Sequence, residues 1–122
     1  PYAGIVRDGR EYALEGVRLI APAEPTKIVC VGKNYKAHAD EMKEGQPEEP
    51  LLFLKPSTCI VGNEEAVVYP NLSKRVDYEA ELGVVIGRAA HAVQPGHAHE
   101  YIFGYTCLND VTARDIQKGD GQ

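Results

Sequence analysis

The chain predicts a mainly β fold of mixed α+β character. Its apolar, β-branched runs are short, its turn residues are abundant, and its helical stretches are few. A doubly wound α/β domain would need regular helices of about 10–15 residues between its strands, and the chain supplies none. Barrel and sandwich both remain open on this pattern. At 122 residues the length suits one domain. The apolar share, 43%, is that of a globular chain, and no run approaches the roughly 18 apolar residues of a membrane span.

Taken in order, Ile5–Arg7 and Glu11–Leu14 flank Asp8–Gly9, a two-residue hairpin signal. Pro22 and Pro25 mark a connection. Thr26–Val31 is β-branched and apolar, as for a buried strand, and Gly32 permits a tight exit. Tyr35–Lys43 has helical composition, and Gln46–Pro50 reads as an exposed loop. Leu51–Leu54 is a short strand closed by Lys55–Pro56, and Ile60–Val61 and Ala66–Tyr69 suggest two more. Val76–Ile86 is the strongest strand signal. Gly87–Gln94 reads as a turn and a strand, Pro95–Tyr101 as a short helix, Phe103–Val111 as β, and Thr112–Lys118 as the start of a helix.

A formal charge of −5, with no basic stripe, excludes nucleic acid as the expected partner. Cys30, Cys59 and Cys107 form no CxxC pair and are odd in number, so a reducing, cytoplasmic setting is expected. Residues 1–20 do not read as a signal peptide. The glycine-rich end, Lys118 to Gln122, brings no closing element, and the expectation is a chain that forms part of something longer.

Within Val76–Ile86 the strand period puts Tyr78, Ala80, Leu82 and Val84 on one face, and Asp77, Glu79, Glu81, Gly83 and Val85 on the other. Glu79 and Glu81 are then about 7 Å apart at their Cα atoms. Two readings are open. One is an amphipathic strand with its acidic side in water. The other starts from Val84-Val85-Ile86, apolar on both faces, which implies burial on both sides. Paired carboxylates in such a place repel unless solvent, a proton or a cation intervenes. A cation needs a further oxygen ligand, for which Asn109–Asp110 is the candidate. Such a set suits Mg²⁺ or Mn²⁺ rather than structural zinc.

His38 and Glu41 share a helix face. A carboxylate beside an imidazole fixes its tautomer and raises its basicity, so the pair is a general-base dyad over a cleft, or a solvated helix pair elsewhere. His97 and His99 read as surface residues, and His91 has no evident partner. Gly32-Lys33-Asn34-Tyr35 is a weak anion-cradle signal, and no GxGxxG accompanies it. Lys55 stands at a strand end, where surface lysines are common. Arg114 and Gln117 share a helix face and could bind a carboxylate, with surface solvation as the alternative. Cys107, among apolar residues, reads as packed. No serine has a GxSxG setting.

Four segments together resemble the fumarylacetoacetate hydrolase family. They are Ile28 to His38 (IVCVGKNYKAH), Leu52 to Ser57 (LFLKPS), Asp77 to Gly87 (DYEAELGVVIG) and Gly104 to Asp115 (GYTCLNDVTARD). The likeness covers about residues 26–122, the first part of such a catalytic domain, and residues 1–25 resemble the family's short, variable N-terminal β segment. It implies a β-roll, incomplete in this chain, a homodimer and a divalent metal. Glu79, Glu81 and Asp110 match the family's metal ligands, and His38 and Glu41 its water-activating dyad. Lys55 and Gln117 match its substrate-pocket residues, and Arg114 is expected to support the Asp110 loop. The family continues past the Arg-Asp helix, through an Ala-Lys-x-Phe segment, so these residues alone are not expected to make a fully active enzyme.

The implied chemistry is metal-dependent hydrolysis of a C–C bond in a 2,4-dioxo acid of acylpyruvate type, through an enolate. His38, oriented by Glu41, would deprotonate the water. Isomerisation or decarboxylation of a 2-hydroxydienedioate, in aromatic-acid degradation, would use the same metal residues and is the alternative. A non-catalytic, metal-binding β domain is the reading from a different class.

Overall fold

The computed structural model describes residues 7–35 and 47–120. They belong to two compact units, one of Leu19–Glu64 and one of Pro1–Arg18 with Glu65–Gln122.

In the first unit, β1 (Ile28–Gly32) pairs antiparallel with β2 (Leu51–Lys55), from Ile28 opposite Lys55 to Gly32 opposite Leu51. Alternation sorts their side chains. Ile28, Cys30, Phe53 and Lys55 are half-buried on one face, and Val29, Val31, Leu52 and Leu54 are exposed on the other. A single-turn 3-10 helix, Ser57–Cys59, follows β2.

The second unit carries β3 (Val76–Asp77), β4 (Ala80–Ile86), β5 (Ile102–Asn109), β6 (Thr112–Ala113) and α1 (Arg114–Asp120). β4 pairs antiparallel with β5, and β3 with β6. The same two stretches of chain therefore make two short ladders in tandem. At the gap between them the Asp110 N–H donates to the Glu79 carbonyl at 2.9 Å. A register shift lies between Val85 and Ile86. A 3-10 segment, Pro95–Tyr101, joins β4 to β5, and in it His97 Nδ1 meets Glu100 Oε1 at 2.7 Å on the surface.

Several expectations change. Val76–Ile86 is not one strand but two, broken at Tyr78–Glu79, where the Asn109 side chain takes the Glu79 N–H that a ladder would use. No strand forms over residues 7–13, because Asp8 accepts the Arg10 N–H at 2.9 Å and Gly9, at φ +80°, turns the chain locally. Residues 60–61, 66–69 and 88–94 are likewise outside the strands. Thr112–Ala113 pairs as β6 before the helix starts at Arg114. Cys107, expected to be packed, is exposed.

Burial of β4 on both faces is also not what the structure shows. Val85 is half-buried, whereas Leu82, Val84, Ile86 and, across on β5, Tyr105 are all exposed. The reason is local. Among the described residues nothing covers their face of the β4–β5 ladder, and no large side chain is fully buried.

Candidate functional site

The backbone order puts three carboxylates at neighbouring positions around the end of the β4–β5 ladder. Ala80 pairs with Asn109 and Glu81 with Leu108, so the next position outward sets Glu79 against Asp110. Residues directly opposite one another share a sheet face. Glu79, Glu81 and Asp110 thus lie on one side of the ladder, the side that the strand period assigns to the two glutamates. It is also the more covered side, with Glu79 and Glu81 half-buried and Asp110 only 8% exposed. Asn109 does not join them. Its Oδ1 accepts the Glu79 N–H at 3.1 Å and holds the glutamate's backbone at the end of β4.

The side chains do not close into a cage. Among the described residues no three His, Cys, Asp or Glu side chains are gathered as a metal ion would need. Glu79 is instead bound to a cation of the protein's own. Arg114 opens α1 with its side chain only 13% exposed, and each guanidinium nitrogen has a partner. Nη2 donates to Glu79 Oε1, Nε to Asp77 Oδ2 at 3.0 Å, and Nη1 to Gln117 Oε1 at 2.6 Å. Burial works against the Arg114 charge, and the hydrogen bonds from Glu79 and Asp77 outweigh it, leaving its pKa raised.

Asp77 is shared between two arginines. Arg75 grips it through Nε and Nη2, both at 3.0 Å, and Arg114 adds a third bond. The Arg75 and Arg114 hydrogen bonds, in that order, hold the Asp77 carboxyl below the usual range. A further layer fixes the helix that carries Arg114. The Arg114 N–H donates to the Arg75 carbonyl at 2.8 Å. Asp115 accepts from the buried Ser73 hydroxyl at 2.5 Å and from the Lys74 N–H at 2.8 Å. Those bonds pull the Asp115 carboxyl down to about 2, with the Ser73 hydroxyl as the largest cause.

Whether a divalent ion suits these residues turns on the donors. Three hard carboxylate oxygen donors on one face are what Mg²⁺ and Mn²⁺ take. Asp110, which takes part in other interactions, keeps its Oδ1 buried without a hydrogen bond. The donor chemistry suits a hard cation, although the side chains as they stand are not gathered around one point.

Gln117 is brought to Glu79 through Arg114. Arg114, expected to support the Asp110 loop, binds Asp77, Glu79 and Gln117. Its predicted capacity to bind a carboxylate is thus used within the chain. Lys55 ends β2 on the half-buried face of the other unit, opposite Ile28. His38 and Glu41 lie outside the described residues. Sequence reasoning missed Ser73, Arg75, Asp77 and Asp115 as supports. For Asp77 a signal existed, since it shares the strand face of Glu79 and Glu81.

The profile of the family described as Fumarylacetoacetate (FAA) hydrolase C-terminal matches residues 27–122. An uncharacterized protein of Archaeoglobus fulgidus is 50% identical over 118 residues, covering 97% of this chain and 47% of its own length. The oxaloacetate tautomerase YisK of Bacillus subtilis is 42% identical over 112 residues, covering 88% of this chain and 37% of its own. Among solved structures, a 5-carboxymethyl-2-hydroxymuconate delta-isomerase from Mycobacterium smegmatis superposes with a TM-score of 0.80 at 48% identity, covering 93% of this chain and 45% of that one. The chain spans about half the length of the curated relatives it matches. With four motifs, a profile over residues 27–122 and closely similar folds in agreement, the chain belongs to the fumarylacetoacetate hydrolase family.

Proposed function

We propose that this chain carries the metal-binding part of an enzyme that stabilises the enolate of a small 2-oxo acid, and that moving a proton, in isomerisation or tautomerisation, is its leading reaction. The observation that carries this reading is the common face of Glu79, Glu81 and Asp110 at the end of β4–β5. The names of two relatives, an oxaloacetate tautomerase and a hydroxymuconate isomerase, support proton transfer over bond cleavage. A Mg²⁺ or Mn²⁺ ion, when bound, supplies Lewis-acid stabilisation of negative charge developing on the 2-oxo oxygen.

The chain's own residues supply the rest. Glu79, Glu81 and Asp110 hold the ion. Arg114, nearly buried, keeps positive charge beside them and orients Gln117, which lies where the family lines its substrate pocket. The family likeness gives Lys55 a substrate-contacting role in this reading, and a homodimer in the cytoplasm is its working form. Hydrolysis of an acylpyruvate is the second reading. It rests on His38 and Glu41 as a water-activating dyad, with His38 taking the proton of the water and Glu41 holding the imidazole tautomer.

One assay separates them. The protein is incubated with Mg²⁺ and, in turn, oxaloacetate enol, a 2-hydroxydienedioate and an acylpyruvate. Loss of enol or diene absorbance without released pyruvate supports isomerisation, and stoichiometric pyruvate from the acylpyruvate supports hydrolysis. His38→Ala then abolishes hydrolysis and leaves Mn²⁺ affinity intact. No turnover of any of the three by the full-length protein, with Mn²⁺ still bound, would refute the enzyme reading in favour of a non-catalytic metal-binding domain.

A further inference from the structure

We infer that a divalent ion enters by exchange: Glu79 leaves the Arg114 guanidinium for the ion, and Asp77 is the positioning residue that retains Arg114 when it does. This rests on the metal site proposed above and adds a device to it. Two observations carry it. Glu79 cannot donate its oxygens fully to an ion while it neutralises Arg114. Arg114, only 13% exposed, cannot be left without a carboxylate, because an uncompensated buried charge is strongly unfavourable.

Asp77 resolves the conflict. It accepts from Arg114 Nε at 3.0 Å and Gln117 accepts from Nη1 at 2.6 Å, both at nitrogens other than the one bound to Glu79. Releasing Glu79 therefore removes one of three hydrogen bonds from the guanidinium and leaves its charge paired. Arg75, bound to both oxygens of Asp77, keeps that carboxylate in place. Without Asp77, Glu79 would be the only carboxylate that Arg114 contacts among the described residues, and the guanidinium would compete with the ion at full strength.

The decisive measurement is side-chain ¹⁵N NMR of Arg114 during a Mg²⁺ titration. The Nη resonances are expected to shift with occupancy while the Nε–H bonded to Asp77 stays protected. Mg²⁺ binding that leaves every Arg114 resonance unmoved would overturn the exchange and leave the metal site standing. Mn²⁺ affinities give the second readout. A charge-assisted hydrogen bond is large enough to change an affinity about tenfold. Arg114→Met, which keeps the aliphatic stem, should bind Mn²⁺ about tenfold more tightly. Asp77→Asn should bind it about tenfold more weakly. A purely structural role predicts that both variants weaken binding, and that outcome overturns the proposal, as does an unchanged Asp77→Asn. If Arg114→Met fails to fold, the titration and Asp77→Asn decide. The double change Glu79→Ala with Glu81→Ala is the control: undiminished Mn²⁺ binding there refutes the metal site itself.

Discussion

Gly83 is where a single methyl group has a calculable effect. It sits in mid-β4 directly opposite Thr106. A Cβ there would lie 2.9 Å from Thr106 Cγ2, 3.3 Å from the Thr106 carbonyl oxygen and 3.6 Å from Leu108 Cδ1. Rotating Thr106 relieves the first contact only by giving up the bond from its hydroxyl to the Cys107 carbonyl. The second is with backbone inside the ladder, so β4 and β5 must move apart by a few tenths of an ångström. Such overpacking costs about 1–3 kcal/mol. The lower chain entropy of alanine in a strand returns roughly 0.5–1 kcal/mol. Gly83→Ala is therefore expected to destabilise the protein by about 1–2 kcal/mol. For a chain of this size that lowers Tm by roughly 4–8 °C. Thermal and urea unfolding followed by circular dichroism measure it. Thr106→Ser removes Cγ2, so the double variant should recover roughly 0.5 kcal/mol or more as coupling between the two sites. Gly83→Ala with wild-type stability, or a double variant whose losses merely add, would refute the close approach. The ladder matters for function because Glu81 lies two residues from Gly83 on the same face.

Two further outcomes follow from the supports of α1. Ser73→Ala leaves Asp115 without its short hydroxyl bond and should lower the midpoint of urea unfolding; a midpoint equal to wild type would show that the bond carries no stability. Asp115 has its folded pKa, about 2, below the roughly 3.9 of an unfolded aspartate, so its contribution is full above about pH 4 and is lost as pH falls through about 2. The Asp115→Asn variant should show less loss of stability between pH 4 and pH 2 than wild type, and an identical acid limb would contradict the assignment.

The sequence by itself determined the mainly β class, the strands around Ile28, Leu51, Ala80 and Phe103, and the shared face of Glu79 and Glu81. These follow from local rules, β-branched composition and a period of two, that need no knowledge of neighbours. The family resemblance added Asp110 to those glutamates, and the β4–β5 register sets it against Glu79. Where local rules misled, a side chain had taken over a backbone group. Asp8 binds the Arg10 N–H and Asn109 binds the Glu79 N–H, so residues 7–13 form no strand and one expected strand is split. The apolar pattern of Leu82, Val84 and Ile86 reads as buried, yet whether a face is covered depends on what packs against it, which periodicity cannot state. Only the tertiary structure decided that Arg114, 35 residues from Glu79 in sequence, joins it to Asp77 and Gln117. Ion pairs at such separation are set by how β3, β6 and α1 pack, and strand periodicity carries no record of that packing.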